Sequence, residues 1–286
     1  MTTQVSPVLP GTVGVYGGGR MGAGIAHAFL AAGSEVVVVE TDEAAVTAAR
    51  ERVAGSLLGA EERGKLEGTA AEVLARLDVT TDPAALAAAG LVVEAVPEDP
   101  DLKARVLATV QDAAPDAVLA TNTSSLSIDG LAERLRAPER FVGLHFFNPV
   151  PASALVEIVV GSATSEDLVE AAQAWVGALD KTAITVTDSP GFASSRLGVA
   201  IALEAMRMLE EGVASAADID TAMTLGYRHP VGPLRTTDLV GLDVRLAIAE
   251  HLAREVGARF EPPQILRDKV AAGELGRKTG RGFYDW

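Results

Sequence analysis

The chain has 286 residues, 48% of them hydrophobic and 22% charged, a globular composition that excludes disorder as the main state and leaves room for two domains. Acidic residues outnumber basic ones by 39 to 24, and the net charge of −15 repels phosphate backbones and anionic lipid, which argues against nucleic-acid and membrane partners. The absence of cysteine removes disulfides, thiolate metal sites and cysteine nucleophiles together, and no metal site is expected. The opening MTTQVSPVLP lacks the basic start and apolar run of a signal peptide, and aliphatic runs such as Val36 to Val39 are far shorter than a membrane span. A soluble, cytoplasmic protein is expected.

From Thr12 to Thr187 short aliphatic runs alternate with Ala-rich helical stretches, the pattern of a parallel sheet with helices on both faces. Strands are predicted at Thr12 to Tyr16, Glu35 to Glu40, Leu91 to Ala95, Val118 to Thr121, Phe141 to His145, Leu155 to Val160 and Thr182 to Thr187. Most are nearly continuous in Val, Ile and Leu, as strands covered on both faces require. After Asp188-Ser189-Pro190-Gly191 the strand signal stops. Apolar residues then recur at helical spacing from Phe192 to Glu211, Gly212 ends that run, and Ser215 with Asp218 resembles a helix start. The predicted division is an α/β domain over 1–187 and an all-helical domain over 188–286.

Gly17-Gly18-Gly19-Arg20-Met21-Gly22 fits G-x-G-x-x-G, follows a predicted strand and opens the helical run Ile25 to Ala32. In that context Gly17 permits a tight turn, Gly19 lets a pyrophosphate approach, and Gly22 allows close helix packing, while Arg20 and Met21 start the helix whose amides face the ligand. Glu40 ends the second strand 23 residues after Gly17, near the spacing of about 20 expected for the acid that binds an adenosine ribose. A carboxylate there disfavours a 2′-phosphate, so NAD is expected over NADP. FAD shares the fingerprint, but nothing downstream resembles an extra flavin-binding region.

Of the four histidines, His27 and His251 fall inside helical runs and His229 sits at a turn. His145 ends a strand, which places an imidazole at the carboxyl edge of the sheet, where ligands bind in this architecture. Twelve residues on, Glu157 interrupts Leu155-Val156-Glu157-Ile158-Val159-Val160. A carboxylate inside such a strand is costly to bury without a partner, and His145 is the partner that a general base would need to fix its tautomer. The alternative is a solvent-facing Glu157 on an edge strand beside a satisfied core histidine. Two further strand ends deliver Glu98 and Ser124 to the same edge; the Asn122-Thr123-Ser124-Ser125 run can hold a ribose or a substrate hydroxyl, or equally cap a helix.

GGGRMGAGIA, VVEAVPE, ATNTSSL, HFFNPVPASALVEIV, DSPGF-x-x-x-RL, HPVGPLRTTDLVGLD and LGRKTGRGFYDW together resemble the short-chain-length L-3-hydroxyacyl-CoA dehydrogenase family, 3-hydroxybutyryl-CoA dehydrogenases included, from about residue 12 to 286. The resemblance implies a Rossmann-type doubly wound, mostly parallel sheet followed by an all-helical dimerisation domain, and a homodimer. It implies NAD-dependent interconversion of an (S)-3-hydroxyacyl-CoA and a 3-ketoacyl-CoA. By that likeness His145 exchanges the hydroxyl proton, Glu157 orients His145, Ser124 binds the reacting oxygen, and Asn148 fixes cofactor and substrate. Glu98, Lys103 and Lys278 fall at cofactor contacts, and Ser56 and Arg63 at CoA contacts.

Three positions depart from the family pattern. Ser195 stands where an asparagine usually helps position the thioester, Ala154 replaces the usual lysine before L-V-E, and Gly59 stands where many members offer CoA phosphates a lysine, leaving Arg63 and Lys65 as phosphate partners. These departures keep open a related dehydrogenase acting on a hydroxyacyl carrier protein or a free sugar acid. A non-catalytic dinucleotide-binding protein is the remaining alternative, since such folds are reused without catalysis.

Overall fold

A computed structural model describes residues 5–286; the first four residues of the stretch inspected for a signal peptide lie outside the described residues. The chain divides into two compact units, one running to Asp188 and the other spanning Ser189–Trp286.

The first unit is built in the order β1 (Thr12–Tyr16), α1 (Arg20–Ala31), β2 (Glu35–Val39), α2 (Glu43–Glu62), α3 (Ala70–Leu74), β3 (Leu77–Thr80), β4 (Leu91–Glu94), α4 (Pro100–Ala113), β5 (Val118–Thr121), α5 (Ile128–Ala132), β6 (Phe141–Phe146), β7 (Leu155–Val160), α6 (Glu166–Ala178) and β8 (Thr182–Thr187). The eight strands form one sheet in the order β3-β2-β1-β4-β5-β6-β7-β8, parallel throughout except for the antiparallel pair β6/β7. Val13, Val15, Val38, Leu91 and Val93 are fully buried because helices cover both faces. Ile25, Phe29 and Leu30 of α1 pack into the same core as Val53 and Leu57 of α2. The side chain of Asp42 caps α2 by accepting the Ala45 N–H.

The sheet has one strand more than the sequence pattern foretells. Leu77-Asp78-Val79-Thr80 alternates buried and exposed residues at the sheet's edge, and four residues are too few for that alternation to stand out. Strand ends shift by a residue elsewhere: β2 stops at Val39 and β4 at Glu94, so Glu40 and Ala95 begin the loops, while β6 runs through His145 to Phe146. The strand order reverses between β1 and β4, and this switch opens a crevice beyond their carboxyl ends.

The second unit contains α7 (Ser194–Glu210), α8 (Ala216–Thr221), α9 (Pro233–Val240), α10 (Leu242–Glu255) and α11 (Gln264–Ala271). Val199, Met206, Leu234, Leu242, Leu252 and Leu266 form its fully buried centre. Ser215 caps α8 through the Asp218 N–H. The closing segment is tied down by two buried carboxylates that no local pattern announces. Asp238 accepts from the Phe283 and Tyr284 amides and the Trp286 indole, and Asp220 accepts from the Leu234 and Arg235 amides and the Tyr284 hydroxyl. Among the described residues no helix is long and apolar enough to cross a membrane.

Candidate active site

The loop between β1 and α1 has the backbone its glycines imply. Gly17 adopts φ +94°, a conformation that strains any side chain, and a Cβ on Gly22 would stand 1.7 Å from the Gly17 carbonyl oxygen. Gly18 is required too, since its Cβ would stand 2.4 Å from that of Ala49. A Cβ on Gly19 would meet no atom of the described residues within 4 Å, so here the loop faces open space at the start of α1. Glu40 lies against this loop and accepts the Gly18 N–H at 2.6 Å and the Thr41 N–H at 3.2 Å. Arg20 is exposed and Met21 half-buried in the first turn of α1. An open, amide-rich turn at a helix start with a carboxylate fixed beside it fits a dinucleotide pyrophosphate and its neighbouring ribose.

At the ends of β4 and β5 a network of charges organises the next loops. Lys103 is 1% exposed, and its ammonium donates to Glu94 Oε1 at 2.7 Å and to the Val96 carbonyl at 3.1 Å, and lies 3.3 Å from Glu98 Oε2. Fully buried Glu94 also accepts from the Val96 N–H and the Thr121 hydroxyl. Glu98 Oε1 gathers the Asn122-Thr123-Ser124-Ser125 turn by accepting from the Thr123 hydroxyl and from the Ser124 and Ser125 amides. Partial burial pushes the Glu98 carboxyl upward, but the Lys103 charge, the Thr123 hydroxyl and the Ser124 amide prevail and hold it below the usual range. Lys103 thus points into the protein and fixes Glu98, which in turn fixes the segment carrying Ser124. Glu94 and Asn122, whose Oδ1 accepts the Phe146 N–H at 2.9 Å, were not foreseen as members of this framework. Glu94 ends its strand and Asn122 lies in the loop after β5, so neither interrupts an apolar run as Glu157 does.

The antiparallel register of β6 and β7 sets His145 directly opposite Glu157. His145 Nδ1 lies 2.7 Å from Glu157 Oε2, with the histidine 6% exposed and the glutamate wholly buried. Glu157 is therefore a buried partner and not a solvent-facing edge residue. The Phe147 ring packs against the imidazole with centroids 4.4 Å apart, and Asn148 follows on the exposed loop.

Ser56 and Arg63 both lie near His27 on another wall of the first unit. Ser56 Oγ lies 2.8 Å from His27 Nδ1, and the Arg63 guanidinium folds over Gly59, where a Cβ would stand 3.2 Å from Nη1. His27, Arg63, Lys65, Ala154 and Lys181 line one cavity of about 680 Å³. Burial and the charges of Lys181 and Arg63 pull the His27 pKa down to about 4, so this histidine is neutral at pH 7. Two of the expected site residues belong to the helical unit. Ser195 lies in the first turn of α7, and the Lys278 ammonium is held by both carboxylate oxygens of Asp243.

The family model for the NAD binding domain of 3-hydroxyacyl-CoA dehydrogenase matches residues 12–189, and that for its C-terminal domain matches 191–286. A 3-hydroxybutyryl-CoA dehydrogenase of Mycobacterium tuberculosis is 43% identical over 96% of this chain and 98% of its own. A 3-hydroxyadipyl-CoA dehydrogenase of Escherichia coli is 39% identical over 96% of this chain and 59% of its own. The crystal structure of (S)-3-hydroxybutyryl-CoA dehydrogenase PaaH1 from Ralstonia eutropha superimposes with a TM-score of 0.92 at 42% identity, covering 97% of this chain and 99% of that one. With both family domains matched in order and the relatives similar along nearly its whole length, the chain belongs to the 3-hydroxyacyl-CoA dehydrogenase family of NAD-dependent oxidoreductases.

Proposed function

We propose that the chain interconverts a short (S)-3-hydroxyacyl-CoA, such as 3-hydroxybutyryl-CoA, and the matching 3-ketoacyl-CoA. The observation that carries this reading is the buried His145–Glu157 pair, held in cross-strand register at the carboxyl edge of the sheet. NAD, held by the Gly17–Gly22 turn with Glu40 toward its adenosine ribose, supplies the acceptor for the C3 hydride. Every proton step falls to this chain's own side chains. With Nδ1 bound by Glu157, His145 takes the substrate's hydroxyl proton at Nε2, and the Glu157 carboxylate stabilises the imidazolium that results. Ser124 Oγ donates to the reacting oxygen, and Asn148 orients cofactor and substrate from the loop after β6. Glu98, fixed by Lys103, keeps the Ser124 turn in place beside the cofactor. Ser56, Arg63 and Lys65 hold the CoA moiety, Ser195 positions the thioester, and Lys278 is assigned to the cofactor.

Exposed Leu197, Ile201, Leu225 and Tyr227 on the helical unit support a homodimer formed through that unit. The relatives' names leave one choice to this chain's residues, since a hydroxybutyryl group ends in a methyl and a hydroxyadipyl group in a carboxylate.

Initial rates with acetoacetyl-CoA test the reading. Turnover is expected with NADH over NADPH, and His145→Ala should lower kcat on the order of 1,000-fold while the protein still binds NADH. Equal rates for wild type and variant would remove His145 from the proton transfer, and an inactive wild type that binds NADH would redirect the search to carrier-protein thioesters and free acids.

A further inference from the structure

The core-facing stripe of α10 consists of Leu242, Arg245, Ala249 and Leu252, spaced to lie on one side of the helix. Three of these are fully buried apolar side chains, and the fourth is a guanidinium on a residue only 8% exposed. Its Nε is buried without a hydrogen-bond partner, and among the described residues no carboxylate comes within ion-pairing distance of it. Other buried ionic groups of this protein are answered: Lys103 by Glu94 and Glu98, Asp238 and Asp220 by amides and ring donors. The terminal nitrogens bond no group of the described residues and are left to solvent or to a ligand of opposite charge, while the buried Nε is a standing cost. Burial pulls the Arg245 pKa down to about 10, still leaving it protonated at neutral pH.

The direction in which this cation points is fixed by α7. A Cβ on Gly198 would stand 3.3 Å from Arg245 Nη1 and 3.8 Å from Nη2, so the guanidinium occupies space that the glycine leaves open. Leu252, two turns along the same stripe, packs in the same way against Gly191, whose Cβ would stand 2.9 Å from Leu252 Cδ2. Arg245 therefore faces the beginning of α7. Ser195 and Gly198 are separated by three residues on that helix and share a face. Gly198, which the guanidinium covers, thus lies about one helical turn, roughly 5 Å, along α7 from Ser195, the residue assigned above to the thioester.

We infer that Arg245 binds the far end of the acyl chain, and that the substrates this chain prefers end there in a carboxylate: 3-hydroxyacyl thioesters of dicarboxylic acids. This rests on the proposed thioester role of Ser195. A guanidinium accepts a carboxylate through two parallel N–H···O bonds. A methyl end would displace water from the terminal nitrogens and offer them no acceptor, so the site discriminates by what it would leave unpaired.

The test compares 3-oxoadipyl-CoA with 3-oxohexanoyl-CoA, which match in acyl length and differ in a terminal carboxylate or methyl, as substrates for reduction by NADH. Wild type should favour the carboxylate by a ratio of kcat/KM on the order of 100, and Arg245→Met should bring that ratio to about 1. Arg245→Lys, which keeps the charge and loses the fork, should fall between. Arg245→Met should also melt at a higher temperature than wild type, because it removes a buried Nε without a partner from an otherwise apolar stripe. No preference in wild type, or a ratio unchanged in Arg245→Met, overturns the inference. Thermal shift with free adipate separates this from failure of the thioester reading: should neither CoA substrate turn over, adipate must still stabilise wild type and not Arg245→Met, and equal shifts in both proteins would overturn the role of Arg245.

Discussion

Glu157 occupies a central position of β7 that an aliphatic residue would fill at less cost, and its carboxylate is answered by the imidazole across the strand pair. Glu157→Gln keeps the size and removes the charge. The glutamine amide can donate to Nδ1, which leaves the hydrogen on Nε2 and blocks proton uptake there. A fall in kcat on the order of 100-fold or more with a small change in KM is expected, and near wild-type kcat would show that Glu157 is structural only. Oxidation consumes neutral imidazole and reduction the protonated form, so the two directions should also show opposite pH trends in wild type. His27 gives a prediction on stability. Its pKa is about 4 folded against about 6.5 unfolded, so between these values the unfolded chain takes a proton that the folded chain refuses. The stability is present above pH of about 6.5 and is lost as pH falls toward about 4, by on the order of 2–3 kcal/mol. His27→Gln should lack this component, which urea titrations of both proteins across that range would show as a difference that shrinks with falling pH; a constant difference would count against it.

At the scale of elements, the glycine turn was legible because backbone geometry restricts residue type: φ +94° at Gly17 and the 1.7 Å approach at Gly22 leave no room for substitution. Gly22→Ala must push α1 away from β1 and should abolish NADH binding, measured by fluorescence titration, while circular dichroism follows whether the sheet survives. Retained binding would mean that the turn relaxes without losing its grip. The hairpin of β6 and β7 was legible only in part. His145 and Glu157 stood out as polar groups in apolar runs, but their pairing depends on an antiparallel register that their separation along the chain does not state. The frame around Ser124 was less visible still. Glu94, Lys103 and Asn122 act through contacts between separate strands and loops, and a sequence shows such residues only as isolated polar letters. Arg245 was missed for a related reason, since one charged residue in a helix passes for a solvated one until packing shows which face it occupies.

For the molecule as a whole, the net charge of −15 opposes a substrate that carries the phosphates of CoA. In the proposed reading the opposition is met locally, where Arg63, Lys65 and Lys181 line one cavity of the first unit and the neighbouring His27 stays neutral. Gly59 contributes by leaving the space that the Arg63 guanidinium covers, so this arginine supplies the charge on that wall of α2. The general field and the local contacts respond differently to salt. Charges spread over the surface are screened beyond about 10 Å at an ionic strength of about 0.1 M, whereas contacts made within a cavity are screened much less. Arg63→Ala should therefore raise KM for acetoacetyl-CoA roughly 10-fold, the value of one charge-assisted hydrogen bond. With the local attraction weakened, that KM should then fall as salt rises through this range, because what remains is mainly repulsion. Acetoacetyl-pantetheine, which lacks the nucleotide phosphates, should show neither the Arg63 effect nor the salt trend. Equal losses on both thioesters would place Arg63 in the scaffold of α2, and the recognition of CoA elsewhere.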